Sequence, residues 1–248
     1  MEQNAKVVLF LEDEKALNYK YKTVINLTKD IEIKSLDYDF EKFENEFTLI
    51  SESKTSYGDI YFLHPYKSNT YVNEKNAEQY LLHEKLNLFR RAASLLGAVS
   101  ISSKVIVKNI DSIETDTNGK VRWKIADAGI DVKTKSTNNL KSSLEIYDEY
   151  KLESNYNHQE NLENLRKFIE ENNLNHELQL IDLIEGRDYK KSGTSLKKKK
   201  IKTEITQEYN NLLEISARLK SPVFSLNSSF HKKLKNVKTL EVEIEYNF

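Results

Sequence analysis

Three groupings in the chain carry residue types that do chemistry. The first is Glu32-Ile33-Lys34, just after Asp30. On a strand alternate residues share a face, so this spacing sets a carboxylate beside an ammonium. Metal-dependent nucleases use that pairing to hold Mg²⁺ and position the attacking water. The second grouping is basic: Lys190, Lys191, Lys197, Lys198, Lys199, Lys200 and Lys202 lie within 13 positions, with Arg187 just upstream and Asp188 the acid nearby. Lysine clusters of this density attract nucleic acid or anionic lipid head groups, which makes these seven residues the candidate polyanion-binding segment. Tyr189 alone is at hand for base stacking, whereas single-strand binders interleave several aromatics. The third grouping, Ser192-Gly193-Thr194-Ser195, has no strand before it and lacks the Gly-x-Ser-x-Gly elbow of a nucleophile. It reads as a linker, and the basic stretch around it as a loop.

Other chemistries lose their residues at the outset. The five histidines (His64, His83, His158, His176, His231) form no His-Glu-x-x-His pair or similar ligand spacing. No cysteine is present, which removes thiol nucleophiles, disulfides and thiolate-bound zinc. The six glycines compose no phosphate-cradling loop. The sequence therefore assigns no catalytic residue, no metal ligand and no cofactor.

The whole chain carries no strong field. It has 38 basic and 39 acidic residues among 248, and only six of the basic residues are arginine, the better bidentate reader of phosphate and guanine. No apolar stretch reaches the roughly 18 residues of a membrane helix. The apolar run after Met1 is too short for a secretory signal, which sets a cytoplasmic expectation.

These groups must be positioned by elements whose periods the sequence displays. Val7–Leu11 and Ile60–Leu63 read as strands, as does Tyr21–Ile33 with a break near Lys29-Asp30. Asp39–Phe47 reads as a short helix. The strongest helix signal is the stripe Leu82, Leu86, Phe89, Ala93, Leu96, stepping by four, three, four and three. Asn76 is the candidate cap and Gly97 the stop. Val105–Ile113 and Val121–Val132 flank Asp116-Thr117-Asn118-Gly119, the signal of a β-hairpin, with a bulge expected at Asp127-Ala128-Gly129. Leu144, Ile146, Tyr150, Leu152 and Tyr156 alternate with charged residues and predict a half-buried strand of roughly 40 Å. Helices are expected over Glu160–Glu170, Asn175–Glu185 (stopped at Gly186) and Tyr209–Leu219, with a strand at Ile201–Ile205. A closing hairpin is expected from Phe224, Leu226 and Phe230 to Leu240–Phe248.

Strands with one apolar and one charged face predict an antiparallel sheet, wet on one side and covered by helices on the other. The expected fold is a single α+β domain over residues 1–248, with a mainly antiparallel, long-stranded, twisted sheet. Such a scaffold without a reaction centre reads as a non-enzymatic binding or assembly protein, acting through an exposed sheet face or edge on a protein partner. The alternatives are a pore-forming-like membrane effector, docking its lysines on anionic lipid, and a nuclease or nucleic-acid-binding protein.

Overall fold

The computed structural model describes residues 4–21, 28–115, 120–125, 135–188, 190, 193, 196–219 and 228–248. It is α+β, with two sheets and helices around them. The chain divides into two compact units, each assembled from three separated segments. The first comprises Met1–Leu81, Asn109–Gly129 and Thr206–Lys238, the second Leu82–Lys108, Ile130–Ile205 and Thr239–Phe248.

The first unit is organised by a five-stranded sheet of β1 (Val7–Leu11), β2 (Ile31–Ser35), β3 (Thr48–Ile50), β4 (Ile60–Leu63) and β5 (Thr70–Asn73), in the order β2-β1-β4-β5-β3. The pairs β1–β4 and β4–β5 are antiparallel, while the outer strands β2 and β3 join in parallel. Every residue of β1 and β5 is buried. That is the reason for the unbroken apolar run Val7–Leu11: it is covered on both faces. On one face Val8, Phe10, Tyr61 and Tyr71 pack with Phe43 of α2 (Phe40–Glu46). Phe10 makes edge-on contacts with Phe40, Phe43 and Tyr61 at centroid distances of 5.3, 5.3 and 5.9 Å. The Tyr71 hydroxyl, its pKa raised mainly by burial, donates to the Ala5 carbonyl at 2.6 Å. On the other parity Phe62 meets Tyr209 of α7 (Gln207–Ser216).

Two local expectations change here. Residues 13–21 form a helix, α1 (Asp13–Tyr21), so Tyr21 is helical rather than extended; β2 begins at Ile31, and residues 22–27 lie outside the described ones. Asp13 and Glu14 fill its first turn, where carboxylates complement the helix dipole. Phe230 belongs to a helix, α8 (Ser228–Lys235), rather than to a closing hairpin. Phe230 and Leu234, four apart, are both fully buried, and residues 220–227 lie outside the described ones.

In the second unit the long stripe is confirmed. Helix α3 (Glu74–Leu95) buries Leu82, Leu86, Phe89, Ala93 and the following Leu96 to 3% exposure or less. It begins two residues before Asn76, because Asn73 is the cap: its side chain accepts the Lys75 amide at 3.0 Å. Gly97 ends the helix with φ +76°, the left-handed conformation that glycine adopts without strain. A Cβ there would stand 2.5 Å from the Tyr156 hydroxyl. Gly97→Ala is therefore expected to destabilise the protein by at least about 1–2 kcal/mol, read as a lowered urea midpoint. An unchanged midpoint would mean that neither the conformation nor the contact matters.

The second sheet contains β6 (Ser100–Thr115), β7 (Val121–Ile125), β8 (Tyr147–Glu149), β9 (Lys198–Glu204) and β10 (Val237–Asn247). Its order is β7-β6-β10-β9, with β8 also on β6. Antiparallel pairing of Asp111–Thr115 with Val121–Ile125 is the expected hairpin. Its turn and the expected bulge lie outside the described residues. The long strand expected over Leu144–Tyr156 is not formed. Leu144 closes α4 (Lys135–Leu144), only Tyr147–Glu149 is extended as β8, and Lys151–Asn155 are exposed. Asp148, which breaks the apolar parity of that segment, pairs with Arg90 at 2.7 Å. Helices α5 (His158–Glu171) and α6 (Leu178–Arg187) follow, α5 capped by Asn157 and α6 running through Gly186.

Candidate interaction edge

Strand β10 shows why these residues form a one-sided sheet. Leu240, Val242, Ile244 and Tyr246 are fully buried, while Glu241, Glu243 and Glu245 face outward. Burial pushes the Tyr246 hydroxyl pKa well up. Strand β9 pairs with β10 over seven residues, from Lys198↔Asn247 to Glu204↔Glu241. Ile201 and Thr203 lie on its inner face, where Lys199 reaches Asp182 of α6 at 2.5 Å.

The hydrogen-bond register fixes which backbone groups β9 leaves unpaired. The Phe248 amide donates to the Lys197 carbonyl at 2.9 Å, and the Ile205 amide to the Leu240 carbonyl at 2.9 Å. In an antiparallel ladder bonded pairs recur at every second residue. Residues 197, 199, 201, 203 and 205 therefore turn their backbone toward β10, while 198, 200, 202 and 204 turn theirs away. Glu204 confirms the phase, since its carbonyl accepts the Lys85 ammonium at 3.0 Å. Among the described residues no strand pairs with this side of β9, which ends the sheet.

The outer face carries charge in rows. Lys198 meets Glu245 at 2.7 Å, Lys200 meets Glu243 at 2.9 Å and Glu245 at 3.7 Å, and Lys202 meets Glu243 at 3.6 Å. On the other flank Lys108 of β6 meets Glu241 at 3.2 Å. Hydrogen bonds from Lys200 and Lys198 hold Glu243 and Glu245, respectively, below the usual carboxylate range, and the bond to Glu243 raises the Lys200 pKa. A carboxylate whose pKa is lowered by folding stabilises while ionised and loses that contribution as pH falls through its folded pKa. The β9–β10 edge is thus expected to loosen below about pH 4, seen as a lower protection of the Ile201 and Thr203 amides relative to their intrinsic exchange rate at the same pH. Lys200→Gln is expected to move the Glu243 titration back toward the ordinary range. A Glu243 midpoint unmoved by that change would count against the ladder.

The basic segment is thus placed differently from the expected loop. Lys198, Lys199, Lys200 and Lys202 are strand residues, each facing a carboxylate, because the Lys-x-Lys-x-Lys alternation matches the Glu-x-Glu-x-Glu of β10. Lys197 is exposed just before β9 and Lys190 is exposed in the preceding segment. Lys191 lies outside the described residues. Glu32 and Lys34 do share a strand, where they bridge each other at 2.8 Å in an exposed position.

The structure also brings together charges that sequence reasoning missed. Lys85 and Glu177, both buried, meet at 2.7 Å. The signal was legible, because Lys85 falls on the apolar stripe between Leu82 and Phe89. In the first unit Asp59, 3% exposed, pairs with Lys75 at 2.6 Å, and Glu74, 1% exposed, with Lys233 at 2.9 Å. Two histidines hold backbone. His64 Nδ1 accepts the Tyr66 amide at 3.1 Å. His158 Nε2 lies 2.8 Å from the Arg187 carbonyl, and its Nδ1 lies 3.1 Å from the Tyr156 hydroxyl. A cavity of about 400 Å³ beside the start of α5 has a mostly polar lining that includes Tyr150, Lys151, Glu153, Tyr156, Asn157 and Glu160. Among the described residues no helix is long and apolar enough to cross a membrane. Comparison of the chain with protein-family models, curated proteins and solved structures finds no match.

Proposed function

We propose that the chain is a non-enzymatic binding protein of the cytoplasm that takes up an extended segment of a protein partner along the β9 edge. The observation that carries this reading is the row Lys198, Lys200, Lys202, whose backbone amides and carbonyls point away from β10. Strand addition supplies its affinity through such main-chain groups and its selectivity through alternate side chains. At seven residues β9 is also longer than the other edge strands β2, β3, β7 and β8. The inner side chains Ile201 and Thr203 anchor it to the core, so the edge is held rigid for a partner.

Amide exchange tests the reading directly. A panel of extended seven-residue peptides (acidic, neutral and basic at alternate positions) is added to the full chain. Binding of any one is expected to slow exchange at Lys198, Lys200 and Lys202. Ile201 and Thr203, already bonded to β10, change little. Lys200→Pro removes an outward amide and leaves the β10 ladder intact, since proline is tolerated on an edge. It is expected to abolish the protection. Equal exchange at Lys198, Lys200 and Lys202 with every peptide sinks the reading.

A further inference from the structure

Resting on that reading, we infer that the partner segment is acidic, a strand with Asp or Glu at alternate positions, aligned with Lys198, Lys200 and Lys202. Across the outer face of the second unit the sign of charge alternates strand by strand. Lys104 and Lys108 lie on β6, Glu241, Glu243 and Glu245 on β10, and Lys198, Lys200 and Lys202 on β9. The glutamate row thus has a lysine row on either side, with Lys108 gripping Glu241 from one flank and Lys200 gripping Glu243 from the other. The β9 lysines have a carboxylate row on one side only. Their side chains remain half exposed, at 60%, 52% and 58% for Lys198, Lys200 and Lys202. Unlike charges directly opposite on neighbouring strands stabilise pairing, and like charges oppose it. An acidic strand continues the alternation.

The same rule excludes the most available competitor, a second copy of the chain. Two β9 edges paired about a two-fold axis would set lysine beside lysine across the new ladder, the arrangement that natural sheets use to prevent edge-to-edge association. The stripe has a defined end. Glu204 follows Lys202 on the same face, and its outward carbonyl is already taken by Lys85. The acidic positions of the partner are therefore three, spaced two apart.

The test uses three peptides of one backbone pattern, Thr-Xaa-Val-Xaa-Val-Xaa-Thr with Xaa as Glu, Gln or Lys, titrated into the full chain at low salt. Three cross-strand pairs predict roughly a tenfold preference for the glutamate peptide over the glutamine one, shrinking as salt is added. No measurable binding is expected for the lysine peptide. In the Lys198→Gln, Lys200→Gln, Lys202→Gln variant the preference is expected to vanish while the glutamine peptide still protects the outward amides. Equal affinity for the glutamate and glutamine peptides would overturn the acidic partner and leave the strand-binding reading standing. Binding of the glutamate peptide that persists in Lys200→Pro would overturn both, because attraction would then occur without strand pairing. Tighter binding of a short DNA duplex or of phosphatidylserine vesicles than of the glutamate peptide, with the outward amides unprotected, would also overturn both and assign the lysines to a polyanion. No binding of any peptide would do the same to both.

Discussion

Replacing Lys85 by methionine is expected to destabilise the protein by about 3–5 kcal/mol, the loss typical of breaking a buried ion pair from one side. The Lys85 side chain is 1% exposed and that of Glu177 8%. Removing the ammonium takes the 2.7 Å partner from a largely buried carboxylate, which then has the His176 ring 3.7 Å away, and also removes a donor to the Glu204 carbonyl. The penalty comes from the group left behind, so the double change Lys85→Met with Glu177→Met is expected to recover most of the loss. Urea unfolding of the two single variants and the double variant checks this. A double variant as unstable as the sum of the singles would show that the two side chains are not energetically coupled and would refute the pair.

Phe89→Ala is expected to cost a similar amount, about 3–5 kcal/mol, by a different mechanism. Phe89 is fully buried at the centre of the α3 stripe, with Leu82, Leu86, Ala93 and Leu96 on the same face. Truncation loses the transfer free energy of a phenyl ring and leaves a cavity that a helix flanked by close-packed alanines cannot collapse to fill. Phe89→Leu, which retains more of the side-chain volume, should lose less than half as much. A loss below about 1 kcal/mol for the alanine variant, with an unchanged denaturant slope, would refute the packing argument.

The elements legible in the sequence were those in which a single period ran long enough to exclude the alternative. The α3 stripe covers four turns, and the Glu-x-Glu-x-Glu alternation of β10 has no helical counterpart. Leu144–Tyr156 misled because period-two alternation arises by composition in a chain rich in Lys, Glu and Asn, and only burial separates a strand from a loop. Leu152, taken as inward, is 43% exposed, whereas Leu144 closes a helix. Helix α1 was missed for the opposite reason. Its one buried residue with a described side chain is Ala16, and Leu17 is 45% exposed, so no stripe announces it. In α8 the pair Phe230 and Leu234 fits a helix as well as alternation fits a strand, and a stretch that short does not discriminate.

The candidate edge shows the same division. The lysines were found by composition, but a loop was the wrong setting, because the residues that place them on a strand lie about 40 positions downstream in β10. Pairing between distant segments leaves no local mark. The one available clue was complementarity: a Lys-x-Lys-x-Lys run and a Glu-x-Glu-x-Glu run of matching period in one chain.

The interleaving of segments between the two units has a consequence during synthesis. Strands β1 to β5 lie within the first 73 residues and can pair as soon as they leave the ribosome. The helix that brings Tyr209 against Phe62 is translated some 130 residues later. Until then that face of the nascent sheet, with Phe62 on it, lacks its own cover. The second unit likewise waits for β10, the last strand to be made. Neither unit can be completed before the segments ending at Lys238 and Phe248 have been translated, so this protein should depend on holding chaperones during translation.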